Sequence, residues 1–273
     1  MKLWNKATMG IMATAGALAL TLSGCNDAAQ SADNGVQIVS VPQVTQLLKT
    51  VEAPPPVPVG PAPSGTYDIF KGPNYTDRVV LTFDDCPKSV EQLRQVSEAA
   101  KARNVGLVLA PIGQCIEELG QGVVDIARAN GQYVINHSVS HKALSKLSVD
   151  GVIRELSAPG VVTNFGRPPY GDGFFTTPYS ANVVAGYEAV NMKPWLWTVD
   201  TNDWKGKSAD SIVSYVLANS GPGDTVLMHM NHNGFNVESV VAMIDGLRAR
   251  GLEVCQAYPG GETPVTLPES LPC

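Results

Sequence analysis

Between residues 67 and 258, short apolar runs alternate with stretches whose apolar positions recur at helical spacing. The runs predict strands at Arg78–Phe83, Gly106–Ala110, Tyr133–Asn136, Val161–Phe165, Trp195–Asp200, Thr225–Met228 and Glu253–Gln256. The periodic stretches predict helices at Ser89–Arg103, Gly122–Ala129, Asp150–Leu156, Tyr179–Ala189, Ser208–Asn219 and Val237–Arg250. Ser89, Ser208 and Asn236 are suited to N-caps, and Gly131 and Gly251 to stops. Strands that are apolar throughout must be covered on both faces, which argues for parallel strands sheathed by helices. About seven such units in roughly 200 residues favour an α/β barrel, closed or distorted, over an open doubly wound sheet. No glycine-rich phosphate loop follows a strand, so nucleotide binding is disfavoured.

The pattern is different before residue 67. Lys2 and Lys6 precede an apolar stretch, Met9 to Leu22, that is short for a bilayer span and ends in small residues. It reads as a secretory signal. Its exit, Leu22-Ser23-Gly24-Cys25, resembles a bacterial lipobox, which implies cleavage before Cys25 and acylation of that thiol. Ordinary signal cleavage, with Cys25 incidental, is the plain alternative. Seven prolines then fall between Pro42 and Pro63. Such a run favours extended polyproline II and resists packing into a core. The expected organisation is a signal at 1–24, a lipidated tether at 25–66, where Val44 to Val51 could form a short helix, and one domain at 67–273.

Composition narrows the function. The chain of 273 residues is 44% hydrophobic and 16% charged, which excludes a disordered tail and a polytopic membrane protein. The net charge is −6; loss of residues 1–24 removes Lys2 and Lys6 and no acid, leaving 17 basic against 25 acidic residues. A phosphate-neutralising nucleic-acid binder shows the opposite balance. Four cysteines remain after Cys25, in an exported compartment that permits disulfides. Of the three pairings four cysteines allow, the nearest-neighbour one, Cys86–Cys115 with Cys255–Cys273, is preferred; buried free thiols are the alternative.

Chemically useful side chains gather at strand ends. Asp84-Asp85 close the first strand and His137 and His141 follow the third. Arg167-Pro168-Pro169-Tyr170 follows the fourth, Asp200, Asp203 and Trp204 the fifth, and His229 ends the sixth. In a parallel barrel, C-terminal strand ends converge on one face, where active sites form. Singly, each has a bland reading. An Asp pair after a strand is mostly turn chemistry or a cap. The i, i+4 spacing of His137 and His141 puts two imidazoles on one side of a helical turn and suits a metal, but lacks the Glu of an HExxH helix. Arg167 could be a surface cation, Trp204 and Tyr170 core, His229 a structural histidine. His232 reads as a surface residue.

Together the five segments resemble the polysaccharide deacetylases, carbohydrate esterase family 4 or the NodB-homology domain, over roughly residues 67–258. Thr82-Phe83-Asp84-Asp85, His137-Ser138-Val139-Ser140-His141, Arg167-Pro168-Pro169-Tyr170, Asp200-Thr201-Asn202-Asp203-Trp204 and Leu227-Met228-His229 are similar to its five motifs in order. Cys86 replaces a usual Gly, Lys142 a frequent Pro, and the stretch from His141 to Arg167 is short, so one helix is expected to be trimmed. The resemblance implies a distorted, incomplete (β/α) barrel. It also implies a divalent metal on Asp85, His137 and His141, zinc first with cobalt or nickel as alternatives.

By the same resemblance Asp84 is the general base, oriented by Arg167, and His229 the general acid, supported by Asp203. The Tyr170 backbone N–H would hold the oxyanion, Leu227 would line the acetyl pocket and Trp204 would wall the site. Asp200 is left structural. The implied reaction removes acetyl groups from an N-acetylated cell-envelope or chitin-like glycan. Alternatives are an O-acetyl esterase and a non-catalytic glycan-binding lipoprotein. Expected partners are the glycan and a membrane, through the anchor, with no nucleic acid; the expected state is a monomer on a bacterial envelope membrane.

Overall fold

The computed structural model describes residues 65–157 and 160–273. The signal, the lipobox with Cys25, residues 25–64 of the tether and its short helix lie outside the described residues.

Among the described residues seven strands occur: β1 Val80–Asp85, β2 Val108–Pro111, β3 Tyr133–Val134, β4 Phe165–Gly166, β5 Lys193–Pro194, β6 Val199–Asp200 and β7 Thr225–His229. Seven α-helices accompany them: α1 Val90–Lys101, α2 Gly113–Leu119, α3 Gly122–Ala129, α4 Val149–Glu155, α5 Ala181–Ala189, α6 Ala209–Asn219 and α7 Val237–Ala249. Five strands form one parallel sheet in the order β3-β2-β1-β7-β6, and β4 and β5 form a second parallel pair. A bridge from Asn136 to Gly166 joins the two. The order around the molecule is therefore β5-β4-β3-β2-β1-β7-β6. Among the described residues no ladder pairs β5 with β6, so the parallel barrel is open there.

Alternation along β1 builds two layers. Val79, Leu81 and Phe83 face outward into a core shared with α1, α3, α6 and α7. Val80 faces the barrel interior, among Val108, Tyr133, Ile135, Phe165 and Trp195. The same inner row continues upward as Thr82 and Asp84, both buried. The interior thus turns from apolar to polar toward the C-terminal ends of the strands, and Arg167 occupies that polar zone.

Helix starts follow the cap residues: Ser89, Ser208 and Asn236 each accept a backbone N–H of the first turn with the side chain. Gly131 and Gly251 end α3 and α7 with φ of +70° and +80°. Cys86 is bonded to Cys115 and Cys255 to Cys273.

Several strands differ from their sequence expectation. The run Trp195–Asp200 shrinks to Val199–Asp200 because the carbonyls of Trp195 and Leu196 accept from Arg167 instead of a neighbouring strand, and β5, Lys193–Pro194, lies just before it and was not expected. The run Val161–Phe165 shrinks to Phe165–Gly166, since the Val161 carbonyl accepts from Asn136 Nδ2. Glu253–Gln256 makes one bridge, Val254 to Val79, and wedges between Val79 and Gly106. From Thr82 and Val108 upward β1 and β2 pair with each other, so no edge is left to lengthen that ladder. Helix α2 was not expected; its N-cap, Ile112, makes no side-chain cap bond and leaves no capping signal.

Candidate active site

The C-terminal strand ends open into one cavity of about 400 Å³, lined by Asp84, Asp85, His137, His141, Tyr170, Trp197, Asp200, Trp204, Leu227, His229 and His232. Every strand-end residue expected at the site, except the buried partners Arg167 and Asp203, lines it. Those two act from behind the wall.

Asp84 and Asp85 are adjacent but lie in different settings. Asp84 is buried on the inner row of β1, and its Oδ1 accepts from Arg167 Nη1 at 2.8 Å. The guanidinium is 0% exposed. It also donates to Thr82 Oγ1, Trp195 O and Leu196 O at 2.8, 3.0 and 2.9 Å. A buried charge paired and bonded in this way is fixed in direction. Strict alternation would turn Asp85 toward the helix layer. Its φ of +72° instead ends the strand and leaves the carboxylate lining the cavity.

Asp85 Oδ1 lies 3.6 Å from His137 Nε2 and 3.4 Å from His141 Nε2. The buried Oδ1 has no hydrogen-bond partner. His137 Nδ1 is 2.8 Å from the Arg167 carbonyl, which can only accept, so Nδ1 carries the proton and Nε2 points its lone pair inward. His141 Nδ1 contacts the Tyr170 hydroxyl at 3.2 Å. One orphaned carboxylate oxygen and two imidazole nitrogens, all within 4.8 Å of one another, fit a divalent metal with open positions.

The two histidines do not sit on a helical turn. Ser138 and His141 adopt φ of +63° and +53°, and the segment is a loop. Ser138 Oγ accepts the His141 N–H, and α2 donates Gly113 N–H and Gln114 N–H to the carbonyls of Ser138 and Val139. Glu155, from α4, accepts the Ser140 N–H at 2.8 Å and its hydroxyl at 2.6 Å. The i, i+4 spacing therefore brings the rings together by a pinned loop.

Across the cavity, His229 Nδ1 lies 2.7 Å from Asp203 Oδ1, while its backbone N–H donates to Asp203 Oδ2 at 2.8 Å. Burial pulls the His229 pKa down, but the Asp203 bond and the charges of Asp84, Asp203 and Asp85 outweigh it and raise the pKa to about 9. Burial pushes the Asp85 carboxyl up; the nearby imidazoles of His137, His229 and His141 outweigh it and hold it at about 2. His141 is lowered by burial and by the charge of His137.

Tyr170 has φ +63° and ψ 6°, set between the Pro168-Pro169 pair and Gly171, and stands 65% exposed. Leu227 is buried at the floor and Trp204 exposed at the rim. Asp200 lines the cavity and accepts the Asn202 N–H in a tight local turn. His232, read from sequence as a surface residue, lines the cavity with its ring 5.8 Å from that of His229. Trp197 and Glu155 were also missed. Trp197 sits inside an apolar run that reads as a strand, and Glu155 inside a helical stretch; neither carries a local signal.

The polysaccharide deacetylase family model matches residues 71–195. The peptidoglycan-N-acetylglucosamine deacetylase of Bacillus cereus is 32% identical over 193 residues, spanning 67% of each chain. The PgdA peptidoglycan-N-acetylglucosamine deacetylase of Listeria monocytogenes is 29% identical over 176 residues, 64% of this chain and 37% of that longer protein. A crystal structure of a peptidoglycan N-acetylglucosamine deacetylase in complex with 4-naphthalen-1-yl-N-oxidanyl-benzamide superposes with a TM-score of 0.56 at 30% identity, covering 68% of this chain and 88% of that one.

Proposed function

The chain belongs to the polysaccharide deacetylase family, and we propose that it hydrolyses acetyl groups from an N-acetylated cell-envelope or chitin-like glycan. The observation that carries this reading is the division of labour in one cavity. A three-donor cluster faces Asp84, held by Arg167, on one side and His229, held charged by Asp203, on the other.

Asp85, His137 and His141 would hold a divalent metal, zinc first with cobalt or nickel also suited, which when bound lowers the pKa of water toward about 7 and polarises a carbonyl. Asp84 takes the proton of the attacking water. Arg167 aims the Asp84 carboxylate through a charge-assisted hydrogen bond of 2.8 Å. The Tyr170 backbone N–H donates to the oxygen of the tetrahedral adduct, on a turn preset by two prolines. Leu227 receives the acetyl methyl, and Trp204 and Trp197 wall the sugar. His229 then gives its proton to the departing nitrogen; the C–N bond breaks and acetate and a free amine leave. A histidine that stays protonated to about pH 9 is suited to that donation at neutral pH.

The peptidoglycan specificity of the Bacillus and Listeria relatives, with the lipobox reading of Cys25, favours an envelope glycan and an exported, membrane-anchored protein. The test is acetate release from paired N-acetyl and O-acetyl glycans, with zinc and with chelator. Zinc-dependent release from the N-acetyl substrate is expected. Release confined to the ester would make it an esterase, and no release under any condition would make it a glycan-binding protein.

A further inference from the structure

A second cavity, about 410 Å³, adjoins the catalytic one and is lined by Ser145, Tyr170, Asp172, Phe175, Thr176 and Ser180 among others. Tyr170 belongs to both. Phe175 is 52% exposed although it is a plain hydrocarbon ring with no polar end to hydrate. It is nevertheless fixed. Its ring meets Trp197, a wall of the catalytic cavity, edge-on with centroids 5.1 Å apart, and meets Phe70 at 6.0 Å. At Gly171, with φ +65°, a Cβ would stand 2.0 Å from Phe175 Cε2, so only glycine lets the ring lie there.

The loop around it is anchored on both sides. The Asp172 carboxylate accepts the Ser145 N–H and hydroxyl at 2.6 and 2.9 Å. Phe174 is buried against Tyr187 and Tyr179. A rigid loop therefore holds one phenylalanine inside and its neighbour out, and the outer ring adjoins the cavity where the acetyl group reacts. Ordering has already been done, so little is lost when a ligand covers the ring.

We propose that Phe175, with Tyr170, forms a subsite for the sugar next in the glycan chain to the one being deacetylated. This rests on the glycan reading above. A pyranose has an apolar face of C–H bonds and a rim of hydroxyls. The C–H face suits the electron-rich face of an aromatic ring, and the hydroxyls suit the polar side chains Ser145, Thr176 and Ser180 that line the same cavity. The continuity through Tyr170 and Trp197 is what points to the same chain rather than to a separate ligand.

The probes are N-acetylglucosamine itself, which has no neighbouring sugar, and its oligomer of five sugars. For Phe175→Ala, the ratio of kcat/KM on the pentamer to that on the single sugar should fall about tenfold, mostly through KM, roughly the effect of uncovering one aromatic contact. Phe175→Tyr should restore the ratio. An equal loss on both lengths, or no loss, overturns the subsite. Binding of the pentamer, followed by tryptophan fluorescence, separates this from failure of the enzymatic reading. A wild type that releases no acetate but binds the pentamer more tightly than Phe175→Ala keeps the subsite and ends the deacetylase assignment. Equal binding by the two proteins ends the subsite.

Discussion

At the residue scale the informative pair is Asp84 and Asp85. Sequence presents two identical carboxylates in a row, and the φ of +72° at Asp85 gives them different settings, to which the proposed mechanism assigns different roles. Asp84→Asn keeps shape and metal donors but removes the proton acceptor, so activity should fall on the order of 10² to 10⁴ at any zinc concentration. Asp85→Asn weakens the metal site instead, and its rate should partly recover as zinc is raised. Zinc rescue of Asp84→Asn, with none for Asp85→Asn, would exchange the two roles. His229 gives a second prediction. Its pKa is raised from 6.5 to about 9 against burial by the Asp203 bond. A raised pKa means the pair stabilises the fold in full below about pH 6.5 and loses that contribution as pH rises through about 9. In Asp203→Asn the ring titration of His229, followed by NMR on metal-free protein, should move down toward its ordinary value. The Asp203 mutation should also destabilise more at pH 7 than at pH 10. A titration left near 9 would show that Asp203 does not set the charge.

At the element scale the two segments that carry the Asp85, His137 and His141 cluster are joined through α2. Cys115, on that helix, is bonded to Cys86, the residue after Asp85. The helix's first N–H groups hold the carbonyls of Ser138 and Val139, between the two histidines. Breaking this disulfide should therefore do two things. With the cysteines 29 positions apart in sequence, the chain-entropy model gives a loss of about 3–4 kcal/mol. Metal affinity should fall as well, because Asp85 and the histidine loop lose their common strut. Paired Cys86→Ser and Cys115→Ser with lowered Tm but unchanged zinc affinity would leave the bond a purely global staple. Sequence showed the caps and the two longest strands, because each has a local signature, such as Ser89 before a periodic run or an apolar run ending in Asp-Asp; the grouping of Asp85, His137 and His141, implied there by the family resemblance, is the cluster the fold brings together. It did not show α2, the shortening of Trp195–Asp200 or the cavity position of His232. The strand depends on a partner distant in sequence, and the histidine on how one turn folds. Arg167 draws two carbonyls out of a predicted strand, and the turn after β7 brings His232 beside His229.

At the scale of the whole molecule, the barrel gathers the candidate site on one face, and the lipobox reading of Cys25 predicts where that face works. On the proposed reading the substrate is a cell-envelope glycan, a polymer fixed in place, to which the enzyme would have to be brought. If Cys25 is acylated, some 41 residues separate lipid from domain, and that spacer, where fully extended, could reach on the order of 100 Å at about 3.1 Å per residue. One acyl chain alone anchors weakly, whereas a multiply acylated cysteine holds a protein firmly on a bilayer. Cys25→Ser should shift the protein from the membrane fraction to the soluble exported fraction, and labelling with a fatty acid should disappear. Acetate release from a soluble N-acetylglucosamine oligomer should be unchanged, because the domain with its two disulfides lies outside the altered segment. Deacetylation of the envelope glycan in cells should fall, since the local concentration conferred by the tether is lost. A Cys25→Ser protein that remained with the membrane would show that the lipobox resemblance is incidental. A mature wild-type N-terminus other than Cys25 would show that signal cleavage alone exports the domain.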